Sequence, residues 1–345
     1  MSDIKFSIVI CCYNEEKNIK DLFLSLNNII YDHNNYEIII IDDGSNDETI
    51  NSIKNFSKLI SNDVDIKFYT INRSGLSIAR NTGYYLSKYN YCLFCDADAI
   101  IHSDILIEYE KKIIEDSFYI YAGRIKNLNT LDPISNLIYN LHNEPSLNLA
   151  KNKLIGANML LNKNLVNIKF PFFDYFKARG DETAMYVNLS QKYNIKNSIY
   201  VEKAIVKNET SSTFFDWFKK MFIEGFNKKK IENFFNKNNK KYFTYSLLKI
   251  NSFILTLLII LLLFHKINFI LIFSSLLFIL RILPRLKYFI RGIKNIIRIN
   301  LLLSIFSPFL IIIGVIISDI GYSIAFLTNK KMKSTKTKAK KITEI

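Results

Sequence analysis

The chain has 345 residues, 49% of them hydrophobic, and a formal charge of +15. Its length admits one large domain or two smaller ones around a substantial core. From Ser246 onward fifteen Lys and Arg face two acids, a net of +13, which leaves the first 245 residues nearly neutral at +2; charge gathered beside long apolar segments fits a membrane surface and argues against nucleic acid as the partner.

Phe6 to Cys12 is a continuous apolar run of buried-strand type, ended by Tyr13-Asn14-Glu15-Glu16. Asn18 to Ile30 then places Ile19, Leu22, Phe23, Leu26, Ile29 and Ile30 at helical spacing. A second strand spans Tyr36 to Ile41 and stops at Asp42-Asp43-Gly44-Ser45, and Asn46 to Thr49 offers capping chemistry for a helix through about Leu59. Asp65 to Thr70 reads as a third strand, Ser77 to Ser87 as a helix, and Tyr91 to Cys95 as a fourth strand. Strands alternating with helices predict parallel βαβ units in one twisted sheet. Asp96-Ala97-Asp98 closes the fourth strand, and its two carboxylates leave on the same side if the strand stays extended. Ligands of open α/β sheets bind at the carboxyl ends of strands, and paired carboxylates there can hold a hard divalent cation with positions left for phosphates.

No GxGxxG follows the first strand and no P-loop sequence occurs, which argues against dinucleotide and P-loop sites. All four cysteines, Cys11, Cys12, Cys92 and Cys95, fall in expected interior strands. An offset of three sets Cys92 and Cys95 on opposite faces, unsuited to a redox or zinc CxxC. They read as reduced core residues of a cytoplasmic domain. The first residues lack a basic-then-apolar leader, so no secretory signal is expected.

Beyond Ile101 the pattern is mixed. Residues 211–245 form an expected amphipathic segment and a Lys/Asn-rich connector; Phe214, Phe215, Phe218, Met221, Phe222 and Phe226 near helical spacing, with Trp217 and lysines alongside, suit either a helix at the membrane interface or one packed on the globular part. In the expected membrane region, 246–328, the apolar segments 247–264 and 267–283 suggest a helical hairpin. Arg281 to Arg298 then carries six basic residues, which places that loop in the cytoplasm. The third apolar segment, 301–327, is interrupted by Pro308, Gly314, Asp319 and Gly321, and either crosses the membrane or re-enters and lies shallow. The basic tail, 329–345, prefers the cytoplasmic side.

Residues 1–210 contain four motifs in order: Ser7-Ile-Val-Ile-Cys-Cys-Tyr-Asn-Glu-Glu16, Ile39-Ile-Ile-Asp-Asp-Gly-Ser-Asn-Asp-Glu-Thr49, Asn72-Arg-Ser-Gly-Leu-Ser-Ile-Ala-Arg-Asn-Thr-Gly83 and Asp96-Ala-Asp98. From Ser7 to about Glu209 the chain resembles family 2 glycosyltransferases. The resemblance implies an α/β GT-A nucleotide-diphospho-sugar transferase fold with a mostly parallel central sheet, followed here by C-terminal transmembrane helices. It further implies a nucleotide-diphosphate sugar donor and a Mn²⁺ or Mg²⁺ ion. Tyr13 would hold the nucleobase by its ring, and Asp43 by accepting a base N–H. Glu15 belongs to the same nucleotide-binding set. Asp96 would contact the ribose side and share the metal with Asp98, which bridges it to the diphosphate. Arg80 would support the diphosphate or the DxD loop, or serve as a structural ion pair.

Gly156-Ala-Asn-Met-Leu160 resembles the acceptor-side strand of that family, and Arg179-Gly-Asp-Glu-Thr183 aligns with its catalytic Gly-Glu-Asp. Inverting transfer needs one carboxylate to take the acceptor hydroxyl's proton. Register favours Glu182 as this base, while Asp181 keeps the usual residue type and stays the alternative. Two departures stand out: Asn208 lies where many relatives carry a metal-binding histidine, and Thr213 and Asp216 replace the Gln and Arg of the processive Gln-x-x-Arg-Trp motif. The expected protein is a multi-pass cell-membrane glycosyltransferase with a cytoplasmic catalytic domain, adding single sugars to a lipid-linked or envelope glycan. Membrane lipids are expected partners. A polyprenyl-phosphate sugar synthase and a catalytically silent nucleotide-binding subunit remain the alternative readings.

Overall fold

Phe6–Cys12 (β1), Tyr36–Asp42 (β2) and Tyr91–Asp96 (β4) lie side by side and parallel, with β1 in the middle. Their uniform apolar composition follows from burial on both faces. Ile8, Ile10, Ile38, Ile40, Leu93 and Cys95 pack into one core cluster, whereas Val9, Ile39, Ile41, Cys92 and Phe94 pack into another. The side-chain alternation of extended backbone thus separates Cys92 from Cys95. Asp65–Ile71 (β3) adds a further parallel strand beside β2. The intervening helices are Ile19–Asn27 (α1), Thr49–Phe56 (α2) and Leu76–Leu86 (α3).

The computed structural model describes residues 4–139, 156–175, 180–193, 198–235, 301–327, 339 and 341–344. Two compact units emerge. The first comprises Met1–Leu128, Leu147–Glu209 and Lys333–Ile345; the second comprises Asn129–Ser146 and Thr210–Met332. Residues 129–146 therefore group apart from the rest of 1–210, and the end of the basic tail groups with the first unit.

The first unit continues with Ala99–Ile101 (β5), Ile105–Glu115 (α4), Ile120–Asn127 (β6), Asn158–Asn162 (β7) and Ser198–Asn208 (β8). Its sheet runs β5-β8-β6-β7-β4-β1-β2-β3, with Ile342–Glu344 (β9) on the outside of β3. The expectation of a mostly parallel sheet is corrected here. β7 runs antiparallel to both neighbours, β4 and β6, and the edge strands β5 and β9 are antiparallel to β8 and β3. Only β6–β8 is parallel among the pairings beyond β4. The sheet is mixed because the βαβ alternation stops after β4: β5 follows it through a turn, without the crossover helix that a parallel neighbour requires.

In the second unit the helices are Pro133–Ile138 (α5), Phe214–Phe235 and Leu301–Leu327. Asp132 caps α5 by accepting from the Ile134 and Ser135 amides. The helix from Phe214 packs on the one from Leu301 at very short range: a Cβ at Gly225 would stand 1.8 Å from the Ser318 carbonyl oxygen, and one at Gly321 would stand 2.2 Å from that of Phe222. Trp217 is buried beneath Gly314. The helix from Phe214 thus continues to Phe235, into the expected Lys/Asn-rich part of the segment, and Trp217 meets the partner helix.

The expected hairpin segments 247–264 and 267–283 and the basic loop lie outside the described residues. Segment 301–327 is a helix, and its described stretch buries Asp319, Tyr322 and Ser323, with the Tyr322 hydroxyl donating to Glu232. Among the described residues no helix is long and apolar enough to cross a membrane.

Candidate active site

The register Cys12↔Asp42 and Cys11↔Asp96 brings the carboxyl ends of β2, β1 and β4 level with one another. Loops leaving these ends are tied together. Asn14, in the left-handed region at φ 57°, donates its amide to Ser45 Oγ (2.9 Å) and accepts from the Asn46 amide (3.0 Å). The Glu15 amide donates to Thr49 Oγ1 (2.7 Å). The Glu15 carboxylate accepts from Asn18 Nδ2 at 2.6 Å, and burial pushes its pKa up, with the charge of Asp96 adding to the effect.

Arg80, on α3 and 4% exposed, is the hub of the site. Its Nη2 lies 3.1 Å from Asp96 Oδ1, and its Nη1 lies 2.7 Å from Asp181 Oδ2 and 3.9 Å from Glu182 Oε2. Sequence positions a hundred apart therefore meet on one guanidinium. Asp181 and Glu182 open the helix Asp181–Tyr193, where the unsatisfied N–H groups favour negative charge. Gly156 admits the guanidinium, since a Cβ there would stand 2.3 Å from Arg80 Nη2. Burial lowers the tendency of Arg80 to stay charged, but Asp181, Asp96 and Glu182 outweigh it and hold it cationic. Burial, Asp181's charge and an Asp181 hydrogen bond push Glu182 up to about 8, with Arg80 opposing. Asp181 Oδ1 is buried and lacks a donor while both acids are ionised. A proton on Glu182 supplies that donor.

The Asp43 carboxylate, 2% exposed, is already engaged: it accepts from the Ser74 amide (2.7 Å), the Gly75 amide (2.9 Å) and Arg73 Nη1. Gly75 adopts φ 98°, which L side chains rarely do, and thereby turns its amide toward Asp43 at the start of α3. The Arg73 guanidinium also lies over the Tyr13 ring, 3.4 Å from its centroid. Tyr13 and Asp43 are thus brought together with Arg73 between them. Asp42 has a different task, accepting from the Gly44 and Ser45 amides and from Thr70 Oγ1.

Asp96 and Asp98 do not share one side of an extended strand, which corrects that expectation. β4 ends at Asp96, and Ala97-Asp98 turns into β5. Asp96 faces Arg80, while Asp98 Oδ1 accepts from Asn208 Nδ2 at 3.1 Å. The register Ala99↔Asn208 between β5 and β8 fixes that pair.

The profile described as "Glycosyl transferase family 2" matches residues 7–166, just under half of the chain. Residues 7–166 are thus similar to glycosyltransferase family 2 domains. A poly(ribitol-phosphate) beta-glucosyltransferase of Bacillus spizizenii is 30% identical over 183 residues, 52% of this chain and 28% of that protein. The poly(ribitol-phosphate) beta-N-acetylglucosaminyltransferase TarP of Staphylococcus aureus is 27% identical over 217 residues, 61% of this chain and 64% of that protein. The chain therefore spans less than two thirds of either relative. A mannosyltransferase from Pyrobaculum calidifontis, solved with GDP-Man and Mn²⁺, superposes with a TM-score of 0.55 at 13% identity, over 68% of this chain and 65% of that one. The fold is GT-A-like, with a mixed sheet.

Around Asp98 the side chains offer oxygen atoms of the kind a hard divalent cation takes. Among the described residues no group of three or more His, Cys, Asp and Glu side chains forms a metal shell. Asn208 Oδ1, however, is buried without a hydrogen-bond partner next to Asp98. Asn208 faces Asp98 with its Nδ2, so its Oδ1 would join the Asp98 carboxylate in a sparse, oxygen-only donor set once the amide turns over, leaving positions for phosphate on an Mg²⁺-like ion. The position read as a missing histidine thus holds an oxygen donor. Arg73 is the other functional residue that the sequence reading passed over. Its signal was present in Asn72-Arg73-Ser74-Gly75, a loop following a strand, but nothing in the linear pattern tied it to Asp43.

Proposed function

We propose that this protein is an inverting, non-processive glycosyltransferase, attached to the cytoplasmic face of the cell membrane. It moves a sugar from a nucleotide-diphosphate sugar to a hydroxyl of a lipid-linked or cell-envelope glycan. The observation that carries this reading is the Arg80 hub, which joins Asp96 of the donor-side motif to Asp181 and Glu182 of the acceptor side. The two relatives named for poly(ribitol-phosphate) suggest a polyol-phosphate polymer as the first acceptor to test. Membrane attachment rests on the apolar segments between residues 247 and 327 and their basic flanks.

In this mechanism Glu182 is the general base. Its raised proton affinity matches a base working near neutral pH, whereas Asp181 is 0% exposed and committed to Arg80. Asp181 and Arg80 act as positioning residues that fix Glu182 beside the donor-side loop. Tyr13, Asp43 and Arg73 recognise the nucleobase, the ring by stacking and the charged pair by hydrogen bonding. Mn²⁺ or Mg²⁺, held by Asp98 with Asn208 and near Asp96, would neutralise charge on the departing nucleoside diphosphate.

The test is nucleoside diphosphate release by the full-length protein in membrane extract, across a panel of UDP- and GDP-sugars, with and without polyol-phosphate polymer. One donor should dominate, and polymer should accelerate its consumption. No release from any donor, with either cation, would reject the reading.

A further inference from the structure

β3 pairs with β2 only as far as Asp42↔Thr70. Ile71, the last residue of β3, has its sheet partner on the other side, in the register Ile71↔Ile342, followed by Thr70↔Thr343 and Tyr69↔Glu344. β9 therefore covers the three residues that lead directly into Asn72-Arg73-Ser74-Gly75. Two further contacts hold the segment. Ala339 is 4% exposed, with its amide donating to Thr82 Oγ1 on α3 at 3.0 Å, and Ile342 packs on the second core cluster. The segment thus spans from α3 to the end of β3, the two elements between which the Arg73 loop is strung. On its other side the loop is held at Asp43, which takes the Ser74 and Gly75 amides, and at Tyr13 and Asp43, which take Arg73. Residues 333–338 before the clamping segment are lysine, serine and threonine, and among the described residues of the segment Ala339 and Ile342 are the apolar ones that seat it.

We propose that Ala339 and Ile342–Glu344 are a positioning clamp for the Arg73–Gly75 loop, and that nucleotide affinity depends on their being docked. The proposal rests on the nucleotide-binding reading above. The clamp acts by keeping Ile71 in register, which sets where the Ser74 and Gly75 amides meet Asp43 and where Arg73 meets Tyr13. A merely structural strand would instead loosen the sheet broadly.

The test uses the full-length protein with two variants, Ile342→Pro and Thr82→Val, and reads hydrogen exchange together with UDP and GDP binding. Proline removes an amide from the paired strand, and valine removes the acceptor for Ala339 while keeping the shape. Exchange in the peptide covering 72–75 should rise about tenfold and affinity for the preferred nucleotide should fall about tenfold, a change of about 1.4 kcal/mol. Exchange in β1 and β2 should stay as in the parent protein. If exchange rises at 342–344 but not at 72–75, the clamp is overturned. Failure of the parent protein to bind either nucleotide would reject the nucleotide reading instead, while the exchange data still judge the clamp.

Discussion

Replacing Glu182 by Gln tests the assignment of the base through both rate and stability. Glu182 is pushed up to about 8 from an ordinary value of 4.5. About a tenth of it is ionised at pH 7 and about nine tenths at pH 9, so turnover should rise about tenfold between them if the ionised form is required. Glu182→Gln should lower the rate by roughly a hundredfold or more and flatten that rise, with donor binding retained. Stability should carry the opposite slope. Because the folded state holds the Glu182 proton more tightly than the unfolded chain, the stabilisation is complete below about pH 4.5 and is lost as pH rises through about 8. Urea denaturation across that window should show a falling midpoint in the parent protein and a shallower fall in Glu182→Gln. Asp181→Asn removes a neighbouring charge that raises Glu182 and should move the rate inflection to lower pH. The assay is nucleoside diphosphate release with saturating donor and acceptor. An inflection that survives in Glu182→Gln, or a flattened profile in Asp181→Asn alone, would refute the assignment and exchange the roles.

Arg80→Met leaves Asp181 buried without its cation and should cost about 3–5 kcal/mol at neutral pH by urea denaturation, less in acid where carboxylates protonate; a loss below about 1 kcal/mol would count against the hub. Gly156→Ala pushes a methyl group against the same guanidinium and should cost about 1–3 kcal/mol, with turnover reduced at unchanged nucleotide affinity. Asp98→Ala should abolish turnover, and Asn208→Ala should weaken cation binding, read by Mn²⁺ paramagnetic resonance or calorimetry; unchanged affinity in both would remove the cation assignment. Arg73→Ala should weaken nucleoside diphosphate binding about tenfold or more by calorimetry, and equal affinity would remove Arg73 from the nucleobase set.

The parallel half of the sheet was legible because β1, β2 and β4 are buried on both faces and each shows an unbroken apolar run. The other half was not. β8 has its apolar residues interrupted by Glu202-Lys203 and Lys207, β5 is three residues long, and β7 gains its place only by pairing antiparallel to strands distant in sequence. β9 was hidden for a related reason: Ile342-Thr343-Glu344 follows a run of lysines, and only the open edge of β3 makes a strand of it.

The site divides in the same way. Each carboxylate was visible as a residue type at the end of an element, but the partner that gives each its chemistry was not. From sequence Arg80 could support the diphosphate, support the DxD loop or form a structural ion pair; the structure buries it in ion pairs with Asp181 and with Asp96 of that loop. One guanidinium facing Asp96, Asp181 and Glu182 cannot balance three negative charges. The proton that Glu182 retains to about pH 8 relieves part of that excess, and it is the proton a base must shed before it can take one from an acceptor hydroxyl. On the proposed assignment, the arrangement that makes Glu182 a stronger base also keeps it protonated at rest, so rate and stability should respond to pH in opposite directions through a single group.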